Sequence, residues 1–143
     1  MVQKYLGKIS GPLLDRIDLH VEVTPVPFGE ISSAKEFEKS EAIRSRVIKA
    51  REIQSERYAQ HEGVNANSQM TSKMLKEICE ISTAGQTLLK TAMERLNLSA
   101  RAYDRILKVS RTIADLAGKP NILPEHLAEA IQYRSLDREG WGA

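Results

Sequence analysis

From Phe37 onward every apolar pattern in this chain repeats at helical spacing, and only one run ahead of it alternates. That run, "IDLHVEV" from Ile17 to Val23, puts Ile17, Leu19, Val21 and Val23 on one face and Asp18, His20 and Glu22 on the other, the pattern of a half-buried strand. A lone strand cannot satisfy its own backbone donors and acceptors or cover its apolar face, so it needs a sheet supplied from elsewhere. The expectation is a chain that starts in mid-domain, with a helical body following the last strand of another structure.

The rest of the chain divides cleanly. "TPVPFGE" breaks regular structure and reads as a linker. A long charged helix is predicted from about Phe37 to Gln60, with Ile43, Val47, Ala50 and Ile53 at helical spacing, and "HEGVNANSQ" interrupts it. Met74, Leu75 and Ile78 mark a short helix, and Gly85 to Leu96 another. Ser99 is the expected N-cap of the next, with Leu98 and Tyr103 as a staple; it runs through Ile106, Val109, Ile113 and Leu116 until Gly118 and Pro120 stop it. Pro124 opens the last, which uses Leu127, Ala130 and Ile131. The fold class is therefore mostly α: a helical bundle over 37–136, preceded by a short helix and one strand within 1–24, a linker at 25–36 and a flexible tail at 137–143.

Composition narrows the classes of partner. A chain of 143 residues suffices for one compact domain with a real core. Its 21 Lys and Arg nearly balance 19 Asp and Glu, so any basic site must be local. Cys79 has no intrachain partner, no apolar run approaches a membrane span, and the N-terminus lacks a signal-peptide core. The expectation is a soluble protein of a reducing compartment, without membrane contact.

Most candidate sites dissolve on inspection. "GKIS" at 7–10 lacks the upstream glycine of a P-loop and has Ile9 where a hydroxyl would hold magnesium. Asp18, His20 and Glu22 share a strand face and are candidate metal ligands, but a solvated face explains them better, and no metal is expected. His61 and His126 have no partner at ligand spacing, and Cys79 on an apolar stripe reads as a buried structural thiol.

Arginine placement survives. Arg101, Arg105 and Lys108 lie at i, i+4 and i+7 on one helix face. Arg105 and Lys108 are expected to pair with nearby acids. Arg101 falls in the first helical turn, where the macrodipole opposes a cation, so its position calls for an anion that N–H groups and guanidinium bind together. A second arginine, Arg16, follows the helical stub "PLLDR" just before the strand, where it either serves a site or pairs locally with Asp15 or Asp18.

"KISGPLLDRIDLHVEV", "LNLSARAYDRILKVSRTIADLAG" and "EHLAEAIQYRSLDR" together resemble the carboxy-terminal part of magnesium-chelatase-like AAA+ ATPases of the ComM/YifB branch. The resemblance covers essentially the whole chain and is least distinctive between Lys35 and Gln69. It implies an ATPase core followed by a helical lid, assembly of identical subunits into a ring, expected to be a hexamer, and ATP with Mg2+ as cofactor in the full-length protein. It also implies a cytoplasmic DNA helicase driving branch migration during natural transformation. By the same resemblance Arg16 in "LLDRID" matches the arginine finger that reaches the neighbouring subunit's nucleotide. Arg101 in "LSARAYDR" matches the sensor-2 arginine that contacts ATP phosphate, on its own subunit or the neighbour's.

The chain contains no Walker A or Walker B sequence, so Met1 is read as the start of an expressed fragment that binds no cofactor and hydrolyses no ATP alone. Two other readings stay open. A stand-alone helical nucleic-acid-binding domain would use Arg101, Arg105, Lys108 and Arg111 on phosphates, and a protein-interaction module would present the long helix from Phe37.

Overall fold

A computed structural model describes residues 9–31 and 37–134. The expectations for residues 1–8, for 32–36 at the end of the linker and for 135–143 lie outside the described residues. Two one-turn helices, α1 (Gly11–Leu14) and α2 (Phe28–Ile31), precede the main body. That body comprises α3 (Ser40–Arg57), a 3-10 turn at Asn67–Gln69, α4 (Ser72–Ile78), α5 (Thr83–Arg95), α6 (Ala100–Leu116) and α7 (Pro124–Gln132). The mostly helical class is the one expected.

Helix ends follow the cap chemistry written in the sequence. Thr71, Ser82 and Ser99 each accept a hydrogen bond from the amide three residues on, at Met74, Gly85 and Ala102, filling one of the four orphan donors that open every helix. Gly118 adopts φ +64°, left-handed backbone that costs a glycine little, and Lys119 N closes on Ala114 O at 2.9 Å to end α6. Pro124 stands at the start of α7, and the His126 ring reaches back to accept from the Leu123 amide at 3.0 Å. His126 is thus a helix cap.

The central helix is α6, against which α3, α4, α7 and the 3-10 turn pack, while α5 packs on α7. The core gathers Tyr58, Met70, Leu75, Leu89, Ile106, Leu107, Leu127 and Ala130 with their neighbours. Ile81 and Ile122 form an isolated parallel bridge that joins the two loops ahead of α5 and α7.

Two expectations need correction. Residues 17–23 form no strand: no partner strand lies beside them among the described residues, and Val21 and Val23 are 69% and 88% exposed. His20, assigned to the solvated face, is buried, and its amide donates to Tyr133 O at 2.8 Å. The apolar stripe of α3 is only half used. Ala50 and Gln54 are buried, whereas Ile43 and Val47 are exposed; the carboxy-terminal end of α3 is tied down by Arg57 on Asp115 of α6 and by Gln54 and the following Tyr58 on Asn67 of the 3-10 turn.

Candidate functional site

Ser99 Oγ caps the Ala102 amide at 3.2 Å, which leaves the remaining first-turn amides of α6 without an intrahelical acceptor. Arg101 sits in that turn with an exposed side chain, and it makes no side-chain hydrogen bond or ion pair among the described residues. No acidic residue stands in the same turn to balance it.

The other cations of α6 are all engaged. Arg105 Nε donates to Asp15 O at 2.8 Å, and its Nη1 pairs with the Asp18 carboxylate. Lys108 Nζ donates to Ser68 O at 2.9 Å. Arg111 is buried; it donates to Asp115 Oδ1 through Nε and to the carbonyls of Pro120 and Lys119 at 2.8 and 2.7 Å. Of the four cations on this helix, Arg101 alone has its guanidinium facing solvent without a partner among the described residues.

Arg16 lies at the other end of the Arg105 contact. After α1 the chain turns through Arg16 N to Leu13 O and Ile17 N to Leu14 O, both 3.0 Å. Arg105 then holds Asp15 and Asp18, Arg134 Nη1 donates to Ile17 O, and the His20 amide bonds Tyr133 O at 2.8 Å. Arg16 is exposed in the middle of this clasped segment. Neither of the local ion pairs weighed for it is present among the described residues, and Arg105 takes the Asp18 carboxylate.

Sequence reasoning missed a buried polar network behind this surface. Asp115 accepts four hydrogen bonds: from Arg57 Nη2 and Arg111 Nε on Oδ1 (2.6 and 3.2 Å), and from Arg57 Nη1 and Asn67 Nδ2 on Oδ2 (both 2.8 Å). All of its lone-pair sites are filled. Asn67 also accepts from the Tyr58 hydroxyl at 2.7 Å, and its own amide donates to Gln54 Oε1 at 3.1 Å. The carboxylate beside it raises the Arg57 guanidinium's pKa further, and burial raises that of Tyr58.

The remaining candidates are structural. Cys79 closes α4, its thiol donating weakly to Leu107 O at 3.8 Å, and burial pushes its pKa up to about 11 against the opposing pull of Arg111 and Arg57. Such a thiol is protonated and poorly nucleophilic at neutral pH. No group of three His, Cys, Asp or Glu among the described residues is arranged for a metal. A groove of 310 Å³ between the clasped segment and α6 is lined by Leu19, Val109, Ile113, Leu116 and neighbours, and neither Arg16 nor Arg101 faces it. No described helix is long and apolar enough to cross a membrane.

Residues 37–134 match the family model for the carboxy-terminal part of magnesium chelatase subunit ChlI, and residues 1–31 match the model for ChlI itself. The chain belongs to the magnesium chelatase ChlI family. Within that family it is 43% identical to the competence protein ComM of Haemophilus influenzae over 96% of its own length and 26% of the relative's. It is 37% identical to Escherichia coli YifB over 94% of the chain, again 26% of the relative. The chain thus spans about a quarter of the length of the curated relatives it matches. It is the ComM/YifB-like, carboxy-terminal region of a magnesium chelatase-like AAA+ protein.

Proposed function

We propose that this chain supplies two arginines to ATP hydrolysis by a ring of identical subunits: Arg16 as a finger directed at the neighbouring subunit's nucleotide, and Arg101 as the sensor-2 contact to phosphate. In this reading residues 1–24 close an ATPase core, 25–36 link it to a helical lid at 37–136, and 137–143 trail behind. ATP with Mg2+ brings a γ-phosphoryl group on which negative charge is redistributed during transfer. The chain's own residues answer that charge. Arg101 stands with unpaired helix-terminal amides at a natural anion site, and Arg16 presents five donors from an exposed turn.

The observation that carries the reading is the sorting of cations. On α6 and the segment it holds, Arg105, Lys108 and Arg111 are engaged within the fold, while Arg16 and Arg101 remain exposed and unpaired among the described residues. The same sorting weakens a stand-alone nucleic-acid-binding reading, because three of the four phosphate contacts it would use are taken. Kinship with a competence protein supports DNA as the substrate of the assembled motor, a cytoplasmic, hexameric ring in which this region alone is inactive for want of Walker motifs.

The test uses the full-length protein. Arg16→Ala is expected to leave ATP binding nearly intact and to lower kcat by roughly a thousandfold, because a finger acts on transition-state charge. Mixing it with Walker B-disabled subunits is expected to restore part of the activity, wherever an intact finger meets an intact pocket. Mixed rings as inactive as both parents would remove action in trans.

A further inference from the structure

Arg105 and Arg134 bond the chain on both sides of Arg16. Arg105 takes the Asp15 carbonyl at 2.8 Å and the Asp18 carboxylate. Arg134, 1% exposed, takes the carbonyl of Ile17. The His20 amide on Tyr133 O at 2.8 Å completes the attachment. Carbonyls 15 and 17 bracket residue 16, so these bonds fix the backbone from which the Arg16 side chain springs. Among the described residues no partner strand shares that work.

We propose that Arg105 and Arg134 are positioning residues that clamp the Arg16 turn to α6 and the end of α7, so that the turn and the helices move as one body. The proposal rests on Arg16 being the finger. Arg105 lies one turn beyond Arg101 on the same face of α6. A displacement of that helix when Arg101 gains or loses phosphate therefore carries the Asp15–Asp18 segment with it, which links the anion at one arginine to the aim of the other. Arginine suits the task because its planar fork donates in two directions at once, to a carbonyl and to a carboxylate, whereas a lysine ammonium on its flexible stem holds neither direction. The chain of contacts is short and physical: Arg101, one helical turn, Arg105, then the main chain on either side of Arg16.

The experiment is a double-mutant cycle in the assembled full-length protein, reading kcat and KM for ATP. Arg105→Ala is expected to lower kcat by about ten- to a hundredfold, as misplacement of a catalytic group by around an ångström does, with KM little changed. In an Arg16→Ala background the same substitution is expected to lower kcat no further, and Arg105→Lys is expected to recover only part of the loss. Asp18→Asn, which leaves α6 intact, is expected to give a smaller loss in the same direction and decides the matter if Arg105→Ala rings do not assemble. Unchanged kcat in Arg105→Ala or Asp18→Asn rings, or losses that multiply undiminished with Arg16→Ala, would overturn the clamp while leaving the finger standing. An Arg16→Ala protein with normal kcat would instead remove the finger, and the clamp with it.

Discussion

Arg57 and Asp115, 58 residues apart in sequence, meet through both arms of the guanidinium at 2.8 and 2.6 Å. The Asp115 side chain is fully buried, and Arg111 on the same helix shares its Oδ1. Removing the carboxylate leaves Arg111 buried beside a second cation with nothing to neutralise either. Asp115→Ala is therefore expected to cost about 3–5 kcal/mol, read as a fall in urea midpoint. Asp115→Asn keeps the shape and is expected to cost less. Equal losses in the two variants would show that volume, not charge, matters here.

Arg101 stands against the α6 dipole with no internal partner among the described residues. Arg101→Glu is expected to leave the stability of this chain unchanged or to raise it by a few tenths of a kcal/mol, up to about one. On the proposed sensor-2 reading the same carboxylate would face phosphate in the full-length protein, so nucleotide-dependent activity is expected to fall. Thermal melts and ATPase assays check the two halves separately; a clear destabilisation would reveal an internal partner for Arg101, and normal turnover would take it out of the site.

Cys79 gives a pH signature. Burial raises its pKa to about 11, above that of an exposed thiol, so the unfolded chain releases its proton first. The stability tied to this group is fully present below the unfolded pKa and is lost as pH climbs toward 11, by up to roughly 2 kcal/mol. Cys79→Ala is expected to flatten that alkaline decline without abolishing it, since burial also raises the Tyr58 pKa. Denaturant titrations between pH 7 and 10.5 measure the slope. In the folded wild type, thiol reagents are expected to react slowly at neutral pH.

Gly85 in the first turn of α5 is a packing requirement. A Cβ there would approach Leu127 Cδ1 at 2.8 Å, and Leu127 is itself fully buried. Alanine gains about 0.5–1 kcal/mol of helix propensity, while overpacking costs about 1–3 kcal/mol, so Gly85→Ala is expected to destabilise by about 1 kcal/mol on balance. In a Leu127→Ala background the clash disappears and the same change is expected to stabilise. A sign that does not reverse between the two backgrounds would place the strain elsewhere.

The helices and caps were legible because their signals are local. Ser99, Gly118 and Pro124 act on amides and carbonyls within a few residues of themselves, and the structure uses each as its chemistry predicts. The family was legible through long motifs. Residues 17–23 were legible as a segment in need of a sheet, and they form no strand here because no partner strand lies beside them among the described residues. The Asp115 network was invisible for a different reason: Arg57, Asn67 and Asp115 come from three elements, and no period links them. At the candidate site the helix-terminal placement of Arg101 could be read from four consecutive residues, whereas the hold of Arg105 on Asp15 spans 90 positions.

The bond from Arg134 to Ile17 closes a loop of 117 residues, and that separation has a consequence for biosynthesis. A ribosome delivers the amino-terminal turn long before this second fastening, so every helix of the bundle can be in place while the Arg16 turn is held by Arg105 alone. On the proposed finger reading, a subunit truncated before Tyr133 would keep most of its core and the Arg105 contacts, yet offer its neighbour a turn secured on one side only.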